Sequence, residues 1–211
     1  MNKFNTEIIL QRHGQSLGNE IHAFLGHVDL DLSELGYRQA EAAADYFKRE
    51  KIDAIYSSDL IRAYNTACPH ARMRNMNIVK KTELREMYVG EWEGMRSEQI
   101  REKYPYEYNV LWKTAFASFA AVGAEPVPLL AERIYSAVLN IARENVGGRI
   151  LITTHAAAIR AFFGKIYGYS EAEASERLSF PANASFSRVL FDGERLIPKS
   201  YSEDGFLADV K

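Results

Sequence analysis

The run at residues 6–12, TEIILQR, is apolar through its middle, with no polar residue alternating in. A half-exposed strand alternates. A run like this one needs cover on both faces, as in a parallel sheet between helices. It then stops on Arg12 and His13, with Gly14 directly behind them. Charged and polar groups are costly at the end of a buried strand unless something pairs with them. The segment therefore predicts both an architecture and a place to look for chemistry.

The rest of the chain alternates in the same way. Residues 33–50 carry Leu35, Ala42, Ala43, Tyr46 and Phe47 at helical spacing, with Ser33 as N-cap. DAIYSS (53–58) reads as a short strand, and residues 59–73 as a helix led by Asp59 and disturbed near Pro69. NIVKKTEL (77–84) reads as a further strand. Leu130, Ile134, Val138 and Ile141 share one face of a helix over 129–145. A glycine turn and the buried strand RILITT come next, then a helix from Ala156, then two strands joined at Asp192-Gly193. Strands alternating with helices predict a three-layer α/β/α fold. Its central sheet is mostly parallel, with a C-terminal hairpin. Residues 1–211 are read as a single domain, and the irregular stretch at about 95–128 as a helical insertion, or lid, over one end of the sheet.

Composition removes several classes of function. Lys and Arg total 26 against 28 Asp and Glu, a formal charge of −2. That balance predicts neither a nucleic-acid partner nor a membrane-binding basic patch. The lone Cys68 cannot form an internal disulfide, and the N-terminal MNKFNTEIIL lacks a signal-peptide core. A cytoplasmic location is expected. The apolar stretch within 104–128 suits core, substrate contact or a homodimer face.

Three predicted strands end in chemically active residues. The first ends at Arg12-His13, the second leads to Arg62 one helical turn on, and the third ends at His155. Ligands bind beyond the carboxyl ends of parallel strands. If these strands are neighbours, two arginines and two histidines converge and repel one another unless an anion lies between them. Arginine forks match phosphate oxygens, so a phosphoryl group is the simplest anion. Glu83, Glu86, Glu91 and Glu93 follow in one run, where most acidic residues are ordinary surface charges. Arg160, His22, His27, His70 and Cys68 read as structural or surface residues. The spacing of His22, His27 and Asp29 fits no standard metal site.

These residues resemble the histidine phosphatase superfamily, also called phosphoglycerate-mutase-like. RHGQS is similar to its Arg-His-Gly-x-Ser/Thr signature. GHVDLDLSELGYRQA, SSDLIRAYNTA, LREMYVGEWEG and ITTHAAAIRAF resemble the family segments that follow, so the likeness covers most of residues 8–163. A lone RHG is weak; five ordered blocks are strong. The resemblance implies that His13 is the nucleophile and Glu86 the acid and base. Arg12, Asn19, Arg62 and His155 would hold the phosphoryl oxygens, His155 also counting among the catalytic residues. Neither a cofactor nor a metal would be needed, because the arginines supply the positive charge. The implied function is hydrolysis of a small phosphorylated metabolite, with broad specificity, through a phosphohistidine.

The alternatives are a cofactor-dependent phosphoglycerate mutase and a catalytically silent phosphate-binding domain. The mutases carry a longer insertion with clustered arginines; here Lys113 is the only cation between 104 and 128. Val89 also stands where they usually have tyrosine. Other departures from the family are Gln15 for glutamate, Ala156 and Ala157 for glycines, and DLDLS for Asp-x-Pro-Leu-Thr, which is expected to leave its loop less rigid.

Overall fold

The computed structural model describes residues 5–114 and 122–210. Its strands are β1 (Thr6–Arg12), β2 (Ala54–Ser58), β3 (Ile78–Lys81), β4 (Arg149–Thr154), β5 (Phe186–Phe191) and β6 (Leu196–Glu203). They form a six-stranded sheet in the order β3-β2-β4-β1-β5-β6. The first four of that order run parallel; β5 and β6 are antiparallel additions at one side. The helices are α1 (Leu17–Glu20), α2 (Glu34–Tyr46), α3 (Ile61–Arg74), α4 (Ser97–Lys103), α5 (Pro105–Thr114), α6 (Val127–Glu144), α7 (Ala156–Tyr167) and α8 (Glu171–Arg177).

The period of two along β1 builds the layers. Ile8 and Leu10 point to one face and pack with Leu130, Ile134 and Val138 of α6 and with Ile159 and Phe162 of α7. Ile9 points to the other face, against Ala43 of α2, Phe47 at the C-cap of that helix, and Ala67 and Ala71 of α3. All three β1 residues are fully buried. Each such side chain contributes about 1.5–3 kcal/mol through removal from water. With helices on both faces, the predicted three-layer α/β/α architecture with its mostly parallel sheet is the one observed.

Local details differ from the sequence reading in places. Asp59 does not lead α3. That helix has Leu60 as N-cap with no side-chain bond, and the Ile61 amide is instead capped by Asp29 Oδ1 at 2.7 Å. Asp59 is drawn away by a two-pronged pair with Arg85 (2.6 and 2.8 Å). Pro69 is accommodated inside α3, which runs on to a left-handed cap at Asn75. The strand expected over 77–84 is confined to β3, because Thr82–Leu84 tightens into a 3₁₀ turn. Helix α8 escaped the hydrophobic pattern because none of its residues is buried, yet Ser170 and Glu173 form a capping box that is readable in SEAE. Part of the expected insertion appears as α4 and α5; residues 115–121 lie outside the described residues. No helix among the described residues is long and apolar enough to cross a membrane.

Glycines set one contact that matters for the site. A Cβ on Gly14 would lie 2.5 Å from the Gly36 carbonyl oxygen, and one on Gly36 would lie 1.9 Å from the Gln15 oxygen. The backbone leaving β1 therefore lies directly against the first turn of α2, and neither position has room for a side chain.

His70 of α3 is fully buried near Phe47, and both ring nitrogens lack a hydrogen-bond partner among the described residues. Burial, aided by Arg74, pushes its pKa down to about 3. The unfolded chain binds this proton near pH 6.5 and the folded chain does not, so stability is lost as pH falls below about 6.5. His70→Leu removes this dependence. Urea denaturation between pH 6.5 and 4.5 should show a slope shallower than that of the unaltered protein by about 1.4 kcal/mol per pH unit.

Candidate active site

Strands β1 and β4 are parallel neighbours in register, Arg12 opposite Thr154, and the His13 amide donates to the Thr154 carbonyl at 2.9 Å. The residues that follow the two strands, His13 and His155, are thereby brought side by side. Their rings meet edge-on, with centroids 5.2 Å apart. β2 flanks β4 on its other side and presents Ser58, whose hydroxyl lies 2.8 Å from His155 Nε2. A cavity of about 360 Å³ opens at this end of the sheet. Arg12, His13, Asn19, Arg62 and Glu86 line it; His155 is buried beside His13 and does not form part of the wall.

His13 Nδ1 lies 2.6 Å from the Gly14 carbonyl oxygen. A carbonyl accepts only, so Nδ1 carries the proton and Nε2 holds a free lone pair. Burial, followed by Arg62 and Arg12, holds the His13 pKa well below the usual histidine value. His155 is lowered in the same direction by burial and then by Arg62, His13, Arg12 and His27. Its Nδ1 is buried without a partner among the described residues.

Each arginine is anchored by backbone carbonyls. Arg12 donates to Pro181 O at 2.6 Å, and Arg62 to Val28 O and Gly26 O, both at 2.8 Å. The Nε atoms of both are buried and, among the described residues, unpartnered. Burial is the main cause that lowers both pKa values, to about 10 for Arg12, while Glu86 works in the opposite direction on each. Both guanidinium groups stay charged at neutral pH. Thr66 ties the two segments together, accepting from the Gly14 amide (3.0 Å) and donating to the Arg62 carbonyl (2.7 Å).

Glu86 sits against the N-terminus of α7. Its carboxylate accepts from the amides of Met87 (2.9 Å), Ala157 (3.2 Å) and Ala158 (3.1 Å). The positive end of a helix favours a carboxylate there. The Ala157 amide is thus engaged by Glu86, and Ala156 and Ala157 line the cavity. Asn19 Oδ1 accepts from the Ser16 amide and from Asn183 Nδ2, both at 3.1 Å, which leaves its own amide nitrogen available to a ligand.

Other candidates fall outside this cluster. Glu83 is exposed, with its carbonyl bonded to Arg133, and Glu91 accepts from Tyr104. Arg160 lies over Phe180. Cys68 is half-buried, its thiol pKa raised by burial. Gln15 accepts from Ser33, and Asp31 ties the DLDLS loop to Asn65 and Tyr37 in place of the missing proline. Among the described residues no three His, Cys, Asp or Glu side chains are grouped to hold a metal ion.

Sequence reasoning passed over several residues that matter. His22 lines the cavity on a left-handed backbone (φ 53°), and His27 Nε2 reaches the Glu86 carbonyl at 2.8 Å. Ser58 and Asn183 hold site residues through long-range bonds that no local pattern encodes. The non-glycine left-handed turn at His22 also leaves no mark in the sequence.

Known proteins resemble this chain over nearly its whole length. The metal-independent phosphoserine phosphatase of Arabidopsis thaliana is 31% identical over 207 residues, which cover 97% of this chain and 84% of that protein. Phosphoserine phosphatase 1 of Hydrogenobacter thermophilus is 30% identical over 190 residues, covering 90% and 88%. The solved structure of the mycobacterial glucosyl-3-phosphoglycerate phosphatase matches with a TM-score of 0.84 at 27% identity, over 95% of this chain and 100% of that one. The family model that matches residues 8–204 extends the likeness from the first strand through the last, and the chain belongs to the histidine phosphatase superfamily, branch 1.

Proposed function

We propose that this protein hydrolyses the phosphomonoester of a small phosphorylated metabolite through a phosphohistidine at His13. The observation that carries the reading is the His13 ring. Its Nδ1 is committed to the Gly14 carbonyl, so a neutral Nε2 faces a cavity flanked by Arg12 and Arg62. A phosphoryl group between those arginines presents phosphorus to that lone pair. Nε2 attacks, the P–N bond forms and the P–O ester bond breaks. Glu86 takes up a proton as the anionic phosphoryl group binds beside it, and the leaving oxygen takes that proton from its carboxyl. Glu86, now a carboxylate, accepts a proton from water as the water attacks phosphorus; the P–N bond breaks and phosphate leaves. His13 and Glu86 return to their starting states.

Arg12, Arg62 and the Asn19 amide supply the cavity's donors for the phosphoryl oxygens, and His155, buried beside His13, joins them once a phosphoryl group seated there brings an oxygen to its ring. His155 fits this part as the tautomer whose Nε2 accepts from Ser58 and whose Nδ1 donates. Preorganised donors of this kind usually supply the largest catalytic contribution. Two features favour hydrolysis over transfer back to substrate. Arg12 and Arg62 are the only guanidinium or ammonium groups among the described residues that line the cavity. The curated relatives described above are named as phosphatases. A single domain with α4 and α5 covering the cavity belongs to the same reading, supported by Ser97 of α4 in its wall.

The test is release of phosphate from p-nitrophenyl phosphate, set beside conversion of 3-phosphoglycerate with 2,3-bisphosphoglycerate present. Isomerisation exceeding hydrolysis would replace this reading with the mutase one. His13→Ala should lower kcat by roughly 10⁴-fold or more, and rapid turnover in the pure variant would exclude His13 as nucleophile. Glu86→Gln should slow alkyl phosphates by about 10²–10⁴-fold while p-nitrophenyl phosphate, whose leaving group needs little help, changes far less; equal slowing of both would remove Glu86 as the acid. EDTA should leave the rate unchanged, and a rate that returns only on adding metal would contradict the mechanism.

A further inference from the structure

Glu93 is a partly buried carboxylate that, among the described residues, neither lines the cavity nor belongs to an ion pair within 4 Å. Its oxygens are spent on backbone amides. Oε1 accepts from His27 (2.9 Å) and Val89 (3.2 Å), and Oε2 from His27 and Val28 (both 3.0 Å). A carboxylate that accepts several amides makes strong, charge-assisted bonds and fixes the backbone that carries them. The backbone so fixed is the 26–28 loop. The carbonyls on either side of His27, those of Gly26 and Val28, are the acceptors of Arg62 Nη2 and Nη1. The approach is close enough that a Cβ on Gly26 would fall 1.8 Å from Glu93 Oε1, so glycine is required there, on a left-handed backbone (φ 50°).

We propose that Glu93 is a positioning residue for Arg62. It holds the two carbonyls that aim the guanidinium at the phosphoryl group. The inference rests on Arg62 binding that group, as argued above. A buried guanidinium with a misplaced pair of acceptors would lose its direction while keeping its charge. An anion site depends on direction because the arginine fork is planar and rigid. The link runs loop to guanidinium, so losing Glu93 should resemble losing part of Arg62 and should do little more once Arg62 is gone.

A double-mutant cycle tests this. Binding of inorganic phosphate, measured by calorimetry, and kcat/KM for p-nitrophenyl phosphate are compared in the unaltered protein, Glu93→Ala, Arg62→Ala and the double variant. Glu93→Ala should weaken both roughly ten- to hundredfold, as loss of an outer partner of a binding residue does. In the Arg62→Ala background the same change should cost less than about threefold. The ratio of alkyl to aryl phosphate rates should hold, since Glu86 is not the target. Full, additive losses in the Arg62→Ala background would overturn the proposal, as would a shifted leaving-group ratio. Glu93→Gln, which keeps one oxygen acceptor, carries the same cycle if Glu93→Ala does not fold, with a smaller loss expected. Phosphate binding without any turnover in the unaltered protein would refute the hydrolase reading alone, while the binding arm of the cycle still decides the role of Glu93.

Discussion

Two guanidinium groups and two imidazoles crowd together, mostly buried, at one end of the sheet, and the imidazoles must stay neutral for that arrangement to exist. Burial and the neighbouring arginines both disfavour a proton on His13 and His155. The price appears in the surroundings. Arg12 and Arg62 are each tied to backbone carbonyls, His155 to the Ser58 hydroxyl, and Glu86 in the cavity wall to the start of α7. An anion between the two guanidinium groups would relieve that electrostatic pressure.

The sheet order makes this gathering possible. The three chemically active strand ends arise from residues about 50 and 90 positions apart in the chain, yet β1, β4 and β2 are successive neighbours. Antiparallel β5 closes the other flank of β1, and the turn before it brings Pro181 and Asn183 to Arg12 and Asn19. The segment leading into a hairpin at the side of the sheet thus supplies the acceptor that orients the first arginine.

Much of this was legible in the sequence because it depends on short-range pattern. Apolar runs of strand length, helical spacing in α6 and the Ser33 cap each leave a local signature, and five ordered motif blocks point to the family. What could not be read depends on contacts between distant segments. Asp59 has the right chemistry for a cap but meets Arg85 first. Glu93 looks like one surface acid among several until the fold folds a loop over it. His22 looks like a loop histidine, and only the turn at its φ brings it to the cavity wall. The gathering of Arg12, His13, Arg62 and Glu86 at one cavity, with His155 buried beside His13, depends on strand order, which composition and periodicity leave open.

The carbonyl that receives the His13 ring proton belongs to the very next residue. Catalytic imidazoles are often steadied by a carboxylate contributed from elsewhere in the chain, which makes them vulnerable to movement of a second element. Here the steadying group travels with the ring. Rearrangement of neighbouring loops can open or reshape the chamber without changing which nitrogen is bare, so substrate preference can diverge while the reactive atom stays constant.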